Sequence, residues 1–245
     1  MLITTHKLCV ISMQKQFFEY KDQSATLEAF IAYKKEKAPT ILIFHAWRGR
    51  DEFVIKQAEK LAEAGYIGVA LDVYGKGILG NSLEENQQLM EPFLKDRMHL
   101  RKRIVSGYEA IKKQPFVDPH KMASIGFCFG GLCSLDLARS GVDIKGAVSF
   151  HGILSDPGIE QKEVQAKILA LHGHDDPMVL PKDVEKFEEE MTRLKVDWQV
   201  HVYGQTVHAF TNPEANDPKR GTVYNPSAEK RSMQSMMNFF GEIFG

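Results

Sequence analysis

The chain has 245 residues, with 31 Lys plus Arg against 32 Asp plus Glu, so its formal net charge is −1. So even a balance offers no basic surface for nucleic acid or acidic lipid, and 43% apolar with 26% charged residues is the composition of a globular chain able to bury a large core. The three cysteines, Cys9, Cys128 and Cys133, are too few and too odd in number for a disulfide framework. They point to a reducing compartment and hence to the cytoplasm.

Residues 1–13 read as a leader ahead of one domain over 14–245, with Met13 as an alternative start. The leader's apolar run, Leu8 to Ile11, is too short for a signal-peptide core. No stretch approaches the roughly 20 apolar residues of a membrane span, so no membrane partner is expected.

Gln16–Tyr20 and Thr26–Tyr33 read as a hairpin about a turn at Lys21–Ser24. Thr40–Phe44 is apolar throughout and β-branched, as in a strand covered on both faces. A helix follows from Asp51 to Ala64, stopped by Gly65, and Tyr66–Leu71 is the next buried strand. After the glycine-rich loop from Gly75 to Asn81 the chain reads as helical to Gln114, broken near Pro92. The basic run Arg97, Arg101, Lys102 and Arg103 in it reads as a solvated helix face. Met122–Ile125, Ile144–Phe150, Ala166–Leu171 and Asp197–Tyr203 read as strands, with helices after the first, from Lys182 to Leu194, and from Pro226 to the end. This alternation predicts an α/β fold: a mostly parallel sheet with helices on both faces and an N-terminal antiparallel hairpin.

Sites in such sheets gather at the carboxyl ends of the strands. There the chain places Gly126-Phe-Cys-Phe-Gly-Gly131 between a short apolar strand and a helix. Gly-x-Cys-x-Gly-Gly has the form of a nucleophile elbow with cysteine in place of serine. Glycines two residues before and after Cys128 avoid clashes in the strained turn, and the helix N-terminus favours a thiolate. A cysteine nucleophile needs a base, and the base needs an orienting acid. In α/β-hydrolase sheets the order is nucleophile, acid, histidine, which here reads Cys128, then Asp175 or Asp176, then His208. Rivals to His208 near strand ends are His45, His151 and His172. A zinc site from His172, His174 and Asp175 would need a fourth, distant ligand. The oxyanion donors expected for such a sheet are the backbone N–H of Phe129 and one from the loop after Thr40–Phe44, where Trp47 is the best placed.

With these segments in view, the chain resembles the dienelactone hydrolase family of α/β-hydrolases from about Gln16 onward. The resemblance is carried by Gly126–Gly131, Asp72-Val-Tyr-Gly75, Gly173-x-x-Asp176-x-x-Val179 and His208-Ala-Phe210. It selects Asp176 as the acid and implies hydrolysis of a small-molecule ester or lactone through an acyl-cysteine, with no metal or organic cofactor. It also implies that Tyr74, Lys76 and Phe210 lie on the substrate side. Two kinds of departure from the family stand out, at three positions. Ala46 stands where a glutamate is usual, and Lys76 and Asn212 stand where arginines hold a substrate carboxylate. The alternative reading is a non-catalytic binding protein for a small molecule, with a silent triad.

Overall fold

The computed structural model describes residues 12–160 and 162–245, so the leader, except for Ser12 and Met13, lies outside the described residues. Eight strands form one sheet in the order β1-β2-β4-β3-β5-β6-β7-β8. The first two, β1 (Gln14–Asp22) and β2 (Ala25–Tyr33), make the expected antiparallel hairpin. Its turn is tighter than the sequence suggests: Lys21 and Asp22 still pair with Thr26 and Ala25, leaving Gln23 and Ser24 to reverse the chain. Strand β2 runs antiparallel to β4 (Ile67–Leu71). From β4 across β3 (Thr40–Phe44), β5 (Met122–Phe127), β6 (Gly146–Phe150), β7 (Lys167–Gly173) and β8 (Trp198–Tyr203) every pairing is parallel.

Strand period divides the core into two. Leu42 and Phe44 face the helices α3 (Arg97–Lys112), α4 (Phe129–Arg139) and α5 (Pro181–Arg193), while Ile41 and Ile43 face α1 (Glu52–Glu63) and α6 (Pro226–Phe244). All five residues of β3 and all six of β5 are buried, which is why both read as unbroken apolar runs. The register also sets the site. Phe44 pairs with Gly126, Phe127 with Phe150, and Phe150 with Leu171, so His45, Cys128, His151 and His172 all emerge at one edge of the sheet.

Two expectations need correction. The break expected near Pro92 lies at Asp96, because α2 (Leu83–Lys95) carries Pro92 inside it. The Asp96 N–H bonds the Pro92 carbonyl at 3.0 Å and closes α2, while its carboxylate accepts the His99 N–H at 2.8 Å and opens α3. Nor is the basic run a solvated face throughout: Lys102 is exposed and Arg101 half-buried, but the other two arginines are buried. Arg103 is buried against Asp22 at 2.7 Å, and Arg97 is buried against Asp136 through bonds of 2.8 and 2.7 Å. Asp136 also meets Arg139, which reaches Glu190 at 2.6 Å, so the guanidiniums are taken out of water only with carboxylates in bonding contact. No helix among the described residues is long and apolar enough to cross a membrane.

Candidate active site

Cys128 leaves β5 with φ 55° and ψ −117° and caps α4, a backbone conformation that few residues other than glycine adopt freely. The flanking glycines permit it. A Cβ on Gly126 would lie 1.8 Å from the Gly130 carbonyl oxygen, and one on Gly130 would lie 2.1 Å from that of Phe44. The turn is tied down by the Cys128 N–H to Phe150 O at 3.0 Å and the Gly131 N–H to Cys128 O at 2.9 Å.

Asp176 lies in the turn after β7 and is buried. One carboxylate oxygen accepts the Met178 N–H at 2.8 Å and the other accepts from His208 Nδ1 at 2.7 Å. Asp175 is exposed, whereas Asp176 is buried and in contact with His208. His208 sits beyond β8, pinned by its N–H to Gly221 O at 2.9 Å and by Val223 N–H to its own carbonyl at 3.1 Å. With Nδ1 donating to Asp176, Nε2 has no hydrogen-bond partner among the described residues, and Cys128 is the neighbour whose charge acts most strongly on the ring. Burial opposes charge on both groups, yet His208, with the Phe129 N–H, holds the Cys128 thiol below its ordinary value. Burial is likewise outweighed at His208, which the Cys128 and Asp176 charges push up to about 10. Each charge favours the other, so thiolate and imidazolium form more readily as a pair than either would alone.

Two of the rival histidines are engaged elsewhere, while both ring nitrogens of His172 are buried without a hydrogen-bond partner among the described residues. His45 is fully buried, its Nδ1 donating to Ala46 O at 2.6 Å and its Nε2 accepting the Val73 N–H at 3.1 Å, and burial lowers its pKa. His151 bonds Thr211 Oγ1 at 2.8 Å and sets its ring 5.1 Å from that of His208. Burial, then the charge of His208, holds it well below the usual histidine range. His172 is buried, which lowers its pKa too. Among the described residues no three His, Cys, Asp or Glu side chains are arranged to hold a metal, and His174 and Asp175 lie exposed.

The remaining predicted residues divide. Phe129 begins α4 with its N–H against the Cys128 sulfur. Trp47 lies half-buried in the loop after β3, and its N–H makes no hydrogen bond among the described residues. Tyr74 is buried; its hydroxyl donates to the Trp47 carbonyl at 3.0 Å, and its ring packs on His45 and Phe129. It braces the Trp47 loop rather than presenting a surface to substrate. Phe210 is 0% exposed, packed on His151 and Tyr203, so it supports the histidine loop from beneath. Lys76 points to the hairpin, where Glu19 and Glu28 take its ammonium. Spacing in sequence does not reveal these side-chain directions.

The sequence profile of the dienelactone hydrolase family matches residues 27–244. The chain belongs to the dienelactone hydrolase family. Dienelactone hydrolases, a family of ester and lactone hydrolases, are also among its structural neighbours. A dienelactone hydrolase-like promiscuous phosphotriesterase from metagenomic libraries is 32% identical, with a TM-score of 0.90 over 95% of this chain and 99% of that one. An uncharacterized protein of Caenorhabditis elegans is 38% identical over 149 residues, 59% of this chain and 94% of that protein. A provisionally named carboxymethylenebutenolidase of Aquifex aeolicus is 27% identical over 92% of this chain and 97% of its own length. The dienelactone hydrolase likeness thus spans the sheet and every segment that carries the site.

Proposed function

We propose that this chain hydrolyses a carboxylic ester or lactone through Cys128, His208 and Asp176, with residues 14–245 acting as one catalytic domain. The Cys128 thiolate attacks the carbonyl carbon. The oxyanion is received by the N–H groups of Phe129 and Trp47, and His208 Nε2–H protonates the leaving alkoxide. An acyl-cysteine remains. Water, deprotonated by His208, hydrolyses it and frees the thiolate. Asp176 keeps the Nδ1 proton in place throughout and balances the imidazolium.

The observation that carries this reading is the 2.7 Å bond from His208 Nδ1 to Asp176, together with the electrostatic coupling of the same histidine to Cys128. Dienelactone is a poor candidate for the substrate. Lys76, at the place of a family arginine, is bound by Glu19 and Glu28 and offers no clamp for a substrate carboxylate. A reactive thiolate favours a reducing compartment, consistent with the cytoplasm.

The test is hydrolysis of short-chain nitrophenyl esters and a simple aliphatic lactone by wild type and Cys128→Ala, with folding checked by circular dichroism. Turnover in wild type that vanishes in the folded variant supports the reading. A Cys128→Ala variant as fast as wild type sinks it, and a wild type silent on both substrate classes points to a binding protein with an idle triad.

A further inference from the structure

A turn that the reaction scheme does not use touches both sides of the cleft. The 3-10 turn Pro218–Arg220 precedes Gly221, whose carbonyl accepts the His208 N–H at 2.9 Å, and Thr222, which bridges to His208. Gly221 also lies so close to Pro177, next to the acid, that a Cβ there would sit 2.4 Å from the proline ring. The turn is therefore fixed to the histidine and to the acid segment together.

From this turn the half-buried Arg220 sets its guanidinium 4.8 Å from the centre of the Trp47 ring. Among the described residues its side chain has no carboxylate and no hydrogen bond, only the indole. Trp is the ring that holds a cation best, and a planar guanidinium stacks where an ammonium cannot. The Tyr74 hydroxyl donates to the Trp47 carbonyl, and the Trp47 N–H makes no hydrogen bond among the described residues.

We propose that Arg220 is a positioning residue: stacked on Trp47, it clasps the oxyanion loop to the segment that carries His208, so that the Trp47 N–H and the imidazole keep a fixed relation across the cleft. The proposal rests on the reading of Trp47 as an oxyanion donor. Its consequence for rate falls on the transition state, where the oxyanion exists, and not on the ground-state complex.

The experiment uses Arg220→Met and Arg220→Lys in the full chain. Trp47 and Trp198 are the two tryptophans, so a Trp198→Phe background isolates Trp47 fluorescence. Arg220→Met is expected to increase acrylamide quenching of Trp47 and shift its emission to the red, with unchanged circular dichroism. On a neutral nitrophenyl ester it is expected to lower kcat by about two- to thirty-fold, the range to which a cation–π contact converts, with KM little changed. Arg220→Lys falls between. A rise in KM confined to anionic esters, with kcat unchanged, would mean that the guanidinium binds substrate and would overturn the clasp. So would unchanged quenching of Trp47. Should wild type hydrolyse no ester at all, the oxyanion reading falls, and the quenching alone still decides whether the stack exists.

Discussion

Replacing Asp176 with Asn tests the site at its most buried contact. In the native site one carboxylate oxygen holds the Met178 N–H at 2.8 Å and the other takes the His208 Nδ1 proton at 2.7 Å. An asparagine that keeps the first bond turns its NH2 toward Nδ1. The imidazole must then accept there and carry its proton on Nε2, where it can no longer receive the thiol proton. Losing a charge-assisted bond to a buried group costs about 1.5–3 kcal/mol, or roughly 10- to 150-fold in rate. The reversed tautomer can carry the loss to about 10⁴-fold, as in serine triads. We expect Asp176→Asn to lower kcat/KM on a nitrophenyl ester by about 10²- to 10⁴-fold, mostly in kcat, and to slow iodoacetamide alkylation of Cys128 at neutral pH. A folded variant within threefold of wild type in both assays would refute the reasoning.

Three further outcomes are expected. The kcat/KM of wild type should rise with pH through a Cys128 pKa below the ordinary thiol value, hold a plateau, and fall as His208 loses its proton near 10. The thiolate exists only above the first and the imidazolium acid only below the second, so a profile that first rises at the pKa of a free thiol excludes the ion pair. Lys76→Ala should leave kcat and KM within about twofold, since Glu19 and Glu28 hold the ammonium at the hairpin; a tenfold higher KM would put Lys76 back in the substrate site. Gly130→Ala should destabilise the fold by about 3 kcal/mol or more, because its Cβ meets the Phe44 carbonyl at 2.1 Å; urea unfolding at the wild-type midpoint would mean that the elbow can relax.

What the sequence disclosed follows from what leaves a periodic or positional trace. β3 and β5 are legible because burial on both faces demands unbroken apolar runs. Cys128 is legible because two backbone approaches exclude any Cβ at 126 and 130. His208 follows from chain order, which the topology of the sheet enforces. Other features leave no such trace. Arg97 and Arg103 read as solvated because the carboxylates that accompany them, Asp136 and Asp22, are far away in the chain. Pro92 reads as a break, yet the helix passes it and ends where Asp96 can cap both helices. The pair β9 (Asn216–Asp217) and β10 (Thr222–Val223), which frames the Arg220 turn, has two residues per strand and no period to detect.

Of the thirteen residues of helix α2 only Asn86 and Phe93 are buried, with Leu89, Met90 and Leu94 half-buried against the core. The Phe93 ring lies 5.8 Å from Tyr74 and 6.4 Å from Phe129, beneath the Arg103 guanidinium. Amide exchange should accordingly be fastest, among the helices beside the site, along α2. Each excursion of that helix withdraws one wall from the tyrosine whose hydroxyl steadies Trp47. A cross-link pinning α2 is therefore expected to slow amide exchange along that helix and to hold the Tyr74 ring more firmly against Phe93.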